Sequence, residues 1–401
     1  MQSARLAVLA AVCAFAAAAQ THVYVGRLSS RAAVLAWGTT EGRDTIGRGS
    51  PAAGKAEVTL NGTAVRIDPA RNWVEVPLAP DTKYHYAVAY NGQTAQGDIH
   101  SYPENGERLC FVVMGDYGTG EAPQHALAKT LAERVAATQA QPCPIRFVLT
   151  TGDNIYGRSR FLLGRSETGD SDQHWESRFF GPYAAVLSSV PFYPSLGNHD
   201  GSESEHEGDL RAYLDNFFFP GDVRAEGRYY RFSYAHLAEF FALDTTNNLP
   251  ALGIGPGSDQ FAWVGQVLQK STARWKIPYY HQPRYCGGPA HGSRSDLDPL
   301  IRLFERNGVA VVFNGHEHNW QPIEEKLASG RLLYHVITGA GGEVRTGRPS
   351  VAFFDHNKAH TVDWVPKIHF TLVEIEGGRL TATPIGENNL PISKPLVVTL
   401  P

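Results

Sequence analysis

The chain has 401 residues, a length that is large for one globular domain and suggests two. Its residues are 42% hydrophobic, 11% aromatic and 19% charged, which is the composition of a folded protein with a sizeable core. The formal net charge is -4 and no basic run is present. The sequence therefore has no feature typical of binding to nucleic acid or to an anionic membrane surface.

The first 19 residues form a distinct segment. Arg5 is its only charged residue, an apolar run extends from Leu6 to Ala19, and small residues stand at Ala17 and Ala19. This pattern predicts a secretory signal peptide over residues 1–19. The run is too short and too rich in alanine to span a bilayer well, and no other segment resembles a membrane span. We therefore expect an exported protein, either periplasmic or secreted.

Three cysteines remain once this segment is removed. Cys110 begins one apolar run, Cys143 lies just before the next, and Cys286 stands apart from both. Adjacent parallel strands would bring Cys110 and Cys143 close enough for a disulfide in an oxidising compartment. Separate buried thiols fit the sequence equally well, so both readings stay open here.

The region from residue 20 to 105 is predicted to be a small all-β domain. Short runs of alternating apolar and polar residues are separated by Gly, Pro, Asp and Asn, as in an antiparallel sandwich. The stretch Leu78–Tyr90 (LAPDTKYHYAVAY) resembles the end of a fibronectin type III-like domain. It contains no cluster of catalytic residue types, so we expect a structural or binding role.

After the polar linker Tyr102–Leu109, apolar strands alternate with helix-like stretches, which indicates an α/β architecture over residues 106–401. Three predicted helices are HALAKTLAERVAAT, DQFAWVGQVLQKS and LDPLIRLFERN. Asp259 is the expected N-cap of the second helix, which carries Phe261, Val264 and Leu268 on one face. The C-terminal part, from Ile368, returns to strands.

Polar groups follow five of the predicted strands directly. The motifs are Gly115-Asp116-Tyr117-Gly118, Gly152-Asp153-Asn154-Ile155-Tyr156, Gly197-Asn198-His199-Asp200, His281-Gln282-Pro283 and Gly315-His316-Glu317-His318. In open α/β sheets the carboxyl ends of the strands are where sites are built. A glycine beside these groups lets the backbone turn sharply. We therefore expect the five motifs to form one site.

These side chains offer oxygen and imidazole nitrogen, and none offers sulfur. Mixed oxygen and nitrogen donors suit Fe, Zn or Mn. The set is large enough for two ions that share a carboxylate, and such a pair at roughly 3.5–4 Å can clamp a phosphoryl group. The sequence therefore predicts a two-metal centre.

The ordered motifs resemble those of the calcineurin-like metallophosphoesterases. Within that superfamily the chain is similar to the purple acid phosphatases, because Tyr156 lies three residues after Asp153. The resemblance covers the part of the chain from about Arg108 onward. It implies a metallophosphoesterase β-sandwich flanked by helices, preceded by the fibronectin type III-like domain.

The resemblance also implies roles for individual residues. Asp116, Tyr156 and His318 would hold a first metal, ferric iron, and Asn198, His281 and His316 a second, divalent Fe, Zn or Mn. Asp153 would bridge the two ions and so share in catalysis. His199 would contact the phosphate, and His291, ten residues after His281, would lie near the leaving group.

The implied reaction is hydrolysis of a phosphate monoester, from a small molecule or a protein, by in-line attack of a metal-bound hydroxide. His199 or His291 would protonate the leaving oxygen. A phosphodiesterase on the same scaffold, with two divalent ions, is the closest alternative. A further alternative is an exported binding protein in which the front domain is the functional module.

Several neighbouring residues have open interpretations. Asp200 is either a carboxylate that orients an imidazole or an ordinary loop residue, and Asn319 is a candidate hydrogen-bonding partner of the site. Tyr117, Arg284 and Tyr285 either line the pocket or lie on the surface. The charged stretch between Arg158 and Gln173 is either a loop near the mouth of the site or a plain solvated loop. The remaining histidines are expected to be ordinary: His125, His174, His206, His236, His335, His356, His360 and His369.

Overall fold

A computed structural model of the protein describes residues 20–40, 46–49, 54–160, 165–168, 174–202, 210–246, 253–347, 351 and 353–400. The predicted signal peptide over residues 1–19 lies outside these residues, as does part of the stretch between Arg158 and Gln173. In the described part of the chain, no helix has both the length and the apolar character needed to cross a membrane.

Residues 22–100 form seven strands in two antiparallel sheets. The strands are β1 (His22–Leu28), β2 (Ala32–Gly38), β3 (Ala56–Leu60), β4 (Thr63–Val65), β5 (Trp73–Pro77), β6 (Lys83–Tyr90) and β7 (Gln93–His100). One sheet has the order β1-β2-β5 and the other β4-β3-β6-β7. This all-β region is compatible with the predicted fibronectin type III-like sandwich.

The first large sheet after the linker has six strands in the order β12-β9-β8-β22-β23-β24. Their bounds are β8 (Arg108–Met114), β9 (Ile145–Thr150), β12 (Phe192–Pro194), β22 (His369–Glu376), β23 (Arg379–Gly386) and β24 (Leu396–Thr399). Strands β8, β9 and β12 run parallel, and the C-terminal strands pair antiparallel. A separate hairpin consists of β10 (Tyr156–Arg160) and β11 (Arg165–Thr168).

The second large sheet has nine strands in the order β13-β14-β15-β16-β17-β19-β18-β21-β20. Their bounds are β13 (Asp222–Arg224), β14 (Tyr229–Tyr234), β15 (Ala238–Ala242), β16 (Trp275–Tyr279), β17 (Val311–Asn314), β18 (Trp320–Lys326), β19 (Leu332–Thr338), β20 (Phe353–Phe354) and β21 (Ala359–Thr361). The central strands β15, β16, β17 and β19 run parallel.

The α-helices among the described residues are α1 (Ala122–Thr138), α2 (Gly181–Leu187), α3 (Arg211–Asn216), α4 (Asp259–Lys270) and α5 (Asp298–Arg306). Helices α1, α4 and α5 correspond to the three predicted helices. The predicted N-cap of α4 was wrong by one residue. Ser258 has extended backbone angles and its hydroxyl accepts from the Phe261 N–H, so Asp259 is the first helical residue.

Aromatic side chains fill the space between the two large sheets. Phe111 and Phe147 of the first sheet meet Phe240 of the second, with ring centroids 5.2 Å apart in both pairs. Phe232 stacks on Phe240 at 4.9 Å and extends the cluster. Because both sheets bury their inner faces here, the parallel strands consist of nearly continuous apolar residues. The mixed α/β fold predicted from the sequence, a sandwich flanked by helices, is confirmed.

The front sheets pack directly against the rest of the chain. The Tyr86 hydroxyl donates to the Ser188 carbonyl at 2.6 Å, and the Tyr193 hydroxyl donates to the Leu28 carbonyl at 3.0 Å. One hydrophobic cluster continues from the front strands into the large sheets. The domain boundaries at residues 19/20 and 105/106 stay predictions.

Cys110 and Cys143 form a disulfide in the structure, with their Cα atoms 5.6 Å apart. Cys110 lies near the start of β8 and pairs with Ile145 of the parallel strand β9, just past Cys143. The bridge therefore joins the amino-terminal ends of two neighbouring strands. Cys286 is a buried free thiol.

Candidate metal centre

The seven predicted metal ligands converge at one edge of the two sheets. Asp116 follows β8, Asp153 and Tyr156 follow β9, and Asn198 follows β12. On the facing sheet, His281 follows β16, and His316 and His318 follow β17. Within each sheet these strands run parallel to one another, β8 with β9 and β12 in the first and β16 with β17 in the second, so their carboxyl ends open at one edge of that sheet.

Asp116, Tyr156 and His318 form a first group of donor atoms. The Tyr156 hydroxyl lies 3.2 Å from Asp116 Oδ1 and 3.1 Å from His318 Nε2. His318 Nε2 is 3.3 Å from Asp116 Oδ1. Asp116 and His318 are buried and Tyr156 is half-buried. Three potential ligand atoms from three strand ends thus lie within hydrogen-bonding distance of one another.

Asn198, His281 and His316 form a second group. His281 Nε2 lies 2.9 Å from Asn198 Oδ1 and 3.1 Å from His316 Nδ1. The other ring nitrogen of His281, Nδ1, bonds the Thr151 carbonyl at 2.8 Å. Such a bond from the second nitrogen fixes the ring orientation and leaves Nε2 free to act as a ligand.

Asp153 lies between the two groups. Its Oδ2 is 3.3 Å from His281 Nε2, and burial together with the charges of Asp116 and Asp153 raises the pKa of the Tyr156 hydroxyl. Asp116, Asp153 and His281 each offer one ligand atom, and these three atoms lie within 4.8 Å of one another. The arrangement has the form of two donor sets with one carboxylate between them. That these side chains bind metal stays a prediction.

Three of these residues have backbone angles that L-amino acids rarely adopt. Asp116, Asp153 and His316 have φ values of 56°, 50° and 72°. Such conformations cost free energy and cluster at functional sites. Close packing also requires glycine at neighbouring positions, because a Cβ at Gly315 would lie 2.5 Å from Asp116 Oδ2. The sharp turns at the strand ends therefore aim the carboxylates inward.

The electrostatics of the site favour a cation between its carboxylates. Among the described residues, neither Asp116 nor Asp153 has a lysine or arginine partner. Burial lowers the pKa of His281, but the charges of Asp153 and Asp116 outweigh it and raise this pKa to about 10. Burial works against ionisation of Asp153, but His281 and His199 hold its pKa below the ordinary value. Two buried carboxylates that depend on imidazoles for compensation are suited to bind cations.

His199, predicted to contact the phosphate, and His291, predicted to lie near the leaving group, each border one of the two donor groups. The His199 ring lies 4.7 Å from the Tyr156 ring, and its backbone N–H donates to Asp153 Oδ1 at 2.8 Å. The His291 ring stacks on the His316 ring, with centroids 3.7 Å apart. Both are half-buried, so each ring borders the donor groups and also reaches solvent.

Asp200 holds the loop that carries Asp153, a role that no motif of the sequence indicates. Its buried carboxylate accepts four N–H groups: the Asn154 backbone and side chain, the Ile155 backbone and the Gly197 backbone, at 2.8–3.2 Å. It contacts no imidazole in these bonds. Neither sequence interpretation describes it fully, because it is a loop carboxylate that is buried and fixes two motif loops together.

Glu317, between the two histidines of the last motif, is a second residue whose role the sequence analysis missed. It is fully buried, and its Oε2 accepts from the His291 N–H at 2.8 Å. It thereby ties the loop of His291 to the loop of His316 and His318. Its position as an acidic residue between two candidate ligands was the signal in the sequence that could have identified it.

The other residues with open interpretations are buried. Tyr117 donates to Asn154 Oδ1 at 3.0 Å, and Asn319 is enclosed without a hydrogen-bond partner for its side-chain amide in the described structure. Arg284 pairs with Asp298 and Asp355, and Tyr285 bonds Glu325 and Asp355. Surface placement of Tyr117, Arg284 and Tyr285 was therefore wrong. Their polar atoms bond loop and strand residues and not the metal ligands.

Comparisons with known proteins agree with this geometry. A family model described as calcineurin-like phosphoesterase matches residues 94–320, more than half of the chain. Purple acid phosphatase 4 of Arabidopsis thaliana is 26% identical over 282 residues, covering 66% of this chain and 74% of the relative. Purple acid phosphatase 3 of the same plant is 28% identical over 252 residues, covering 58% and 63%.

A solved structure is similar in fold over nearly the whole chain. The purple acid phosphatase isolated from yellow lupin (Lupinus luteus) seeds aligns with a TM-score of 0.72 at 15% sequence identity, covering 95% of this chain and 74% of the lupin chain. At this identity the match supports the fold alone. The chain therefore belongs to the calcineurin-like phosphoesterase family, and the resemblance to purple acid phosphatases that its motifs indicated is confirmed.

Proposed function

We propose that the protein is an acid phosphatase-type hydrolase that cleaves phosphate monoesters at a two-metal centre. The observation that carries this proposal is the arrangement of six donor side chains in two groups of three, with Asp153 as the seventh between them. Structural metal sites are typically closed and tetrahedral, often with cysteine ligands. This donor set is larger, has no sulfur and borders solvent through two histidines, as a site that admits substrate requires.

Asp116, Tyr156 and His318 would hold one ion, Asn198, His281 and His316 the other, and Asp153 both. The donor chemistry fits ferric iron beside tyrosinate in the first position, with divalent Fe, Zn or Mn in the second. Two ions held there would supply Lewis-acid polarisation of the phosphoryl oxygens and a hydroxide nucleophile at neutral or acid pH.

The remaining steps fall to side chains around the ligands. His199, beside Tyr156, and His291, stacked on His316, lie where a phosphate held by the centre would meet imidazole N–H groups. Either imidazole can donate a proton to the leaving oxygen, a contribution of roughly a hundredfold to ten-thousandfold in rate. The Thr151 carbonyl orients the ring of the candidate ligand His281. Glu317 holds the loop that carries His291.

Export to a periplasm or the extracellular space is part of this proposal. The apolar segment at residues 1–19 has the composition of a signal peptide. The disulfide between Cys110 and Cys143 supports the same location, because such bonds persist in oxidising compartments.

Hydrolysis of an aryl phosphate monoester by the metal-loaded chain, compared with the matching methyl aryl diester, tests the proposal. We expect the monoester to be cleaved with the higher kcat/KM. The Asp153→Ala variant should fall to the level of metal-free protein, while a control at an exposed carboxylate, Asp98→Ala, should keep full activity. A preference for the diester would contradict the monoester assignment, and hydrolysis of neither ester would contradict the enzyme assignment.

The visible spectrum tests the metal assignment separately. Tyrosinate on ferric iron produces a purple charge-transfer absorption, and Tyr156→Phe should abolish it. A colourless enzyme that is fully metallated and active would contradict the iron assignment and leave the two-metal proposal in place.

A further inference from the structure

The loop after β19 also reaches the metal centre, although its sequence shows no metal-ligand motif. We call residues 339–347 (GAGGEVRTG) the β19 loop. β19 runs parallel to β17, so its carboxyl end opens at the same edge as the strands that carry the ligands. By the rule that sites form at this edge, the β19 loop belongs to the same site.

The β19 loop contacts three of the segments that form the candidate centre. The Gly341 N–H donates to the Gly115 carbonyl at 3.0 Å, next to Asp116. The Arg345 N–H donates to the His318 carbonyl at 3.1 Å. Gly347 packs closely against Pro289: a Cβ atom added at Gly347 would lie 3.0 Å from the Pro289 Cβ. The loop therefore crosses the site from the Asp116 turn to the loop of His291, with Arg345 between them.

The guanidinium of Arg345 has no protein acceptor in the described part of the chain. Arg345 is half-buried, and its Nε atom is enclosed without a hydrogen-bond partner. Buried guanidinium groups are normally paired with a carboxylate or bound to an anion. The buried carboxylate of Glu317 accepts the His291 N–H through Oε2 and leaves Oε1 without a hydrogen-bond partner, and it forms no ion pair with Arg345 among the described residues. The positive charge of Arg345 is thus available to a ligand.

Arg345 is held beside the donor groups by its own backbone, which bonds the carbonyl of the candidate ligand His318. Its unpartnered guanidinium therefore lies at the edge of the centre, where an anionic substrate would bind.

On this geometry, and resting on the proposed phosphatase function, we propose that Arg345 binds an unesterified oxygen of the substrate phosphate and selects monoesters over diesters. A phosphate monoester has three unesterified oxygens and carries up to two negative charges, whereas a diester has two and carries one. Two metal ions can engage two of these oxygens. An arginine at the edge of the site gains its hydrogen bond to the third oxygen with the monoester and with inorganic phosphate only.

Arg345→Ala and Arg345→Lys in the full, metal-loaded chain test this role. For Arg345→Ala we expect KM for an aryl monoester and the inhibition constant of inorganic phosphate to rise about tenfold to hundredfold, the usual effect of losing a charged hydrogen bond. KM for the matching diester should change less than about threefold. Arg345→Lys should recover part of the loss, because it restores charge without the planar fork. Arg302→Ala, at an exposed arginine of α5, is the matched control.

Thermal protection by inorganic phosphate provides a second readout that does not depend on turnover. The wild type and the control should be stabilised by phosphate, and Arg345→Ala should need about tenfold more phosphate for the same shift. Equal losses for monoester and diester, or unchanged phosphate protection, would overturn the proposal and indicate a structural role for Arg345. If the wild type cleaves no ester, the phosphatase proposal fails, and the phosphate protection still decides whether Arg345 binds phosphate.

Discussion

Replacing Glu325 by glutamine tests how a buried charge network stabilises the nine-stranded sheet. Glu325 is only 1% exposed. It lies 3.0 Å from His335 Nε2 and from Lys358 Nζ, and it accepts from the Tyr285 hydroxyl at 2.9 Å. Burial raises the pKa of Glu325, but the bond to His335 and the charges of His335 and Lys358 outweigh it and lower this pKa to about 2.

The magnitude follows from this pKa. A carboxyl group with an ordinary value of 4.5 and a folded value of about 2 contributes about 3 kcal/mol to the free energy of unfolding at pH 7. Because the folded pKa is lowered, the contribution is fully present above the unfolded pKa and is lost as pH falls through about 2. At pH 3 about half of it remains. Glutamine at this position keeps the shape of the side chain and one oxygen acceptor, but it removes the negative charge and with it this contribution to stability.

Urea unfolding of Glu325→Gln and wild type at pH 7 and pH 3 measures the effect. We expect a loss of about 3 kcal/mol at pH 7 that shrinks to about half at pH 3. The neighbouring Glu324→Gln is the control, because Glu324 is half-buried and bonds the Tyr334 hydroxyl, so its loss should stay below about 1 kcal/mol. A Glu325→Gln loss below about 0.5 kcal/mol, or one that does not depend on pH, would refute the reasoning.

Three further predictions concern the loops and ends of the sheets. Asp200→Ala leaves four buried N–H groups without their acceptor and so loosens the loop that carries Asp153. A metal titration should then show metal binding roughly 10–100-fold weaker than in the wild type. Unchanged metal affinity would contradict the role of Asp200 in holding this loop. Joint replacement of Cys110 and Cys143 by alanine should lower the unfolding free energy by about 2–4 kcal/mol in urea, whereas no change would show that the bridge is not formed. If His199 or His291 protonates the leaving oxygen, its alanine variant should slow alkyl phosphates about a hundredfold or more and aryl phosphates much less, since aryl oxides leave without a proton. Equal slowing of both esters would argue against proton donation.

The convergence of the candidate metal ligands could be predicted from the sequence because their motifs follow apolar strands. His316 and His318 come just after β17, and Asp116 comes just after β8. Parallel strands bring their carboxyl ends to one edge, so local patterns were enough to predict a shared position. The division into two donor groups needed the family resemblance, since spacing along the chain does not show which histidine faces which carboxylate.

The supporting residues could not be predicted because their partners are distant in sequence or unmarked by motif. Asp200 accepts hydrogen bonds from the N–H groups of Asn154 and Ile155, which lie 46 and 45 residues earlier. His335 was expected to be ordinary, yet it pairs with Glu325 across the antiparallel register of β18 and β19. Arg345 stands in a glycine-rich loop whose path becomes visible only in three dimensions. At the start of α4, Ser258 and Asp259 are both good capping residues, and only the backbone angles separate them.

Anomalous X-ray diffraction from metal-loaded crystals, with metal content measured on the same protein, tests the central claim most directly. We predict two ions per chain, roughly 3.5–4 Å apart, one beside Asp116, Tyr156 and His318 and the other beside Asn198, His281 and His316. Asp153→Ala should lose at least one of them. A single ion, no bound metal, or two ions that Asp153→Ala leaves in place would contradict the two-metal centre.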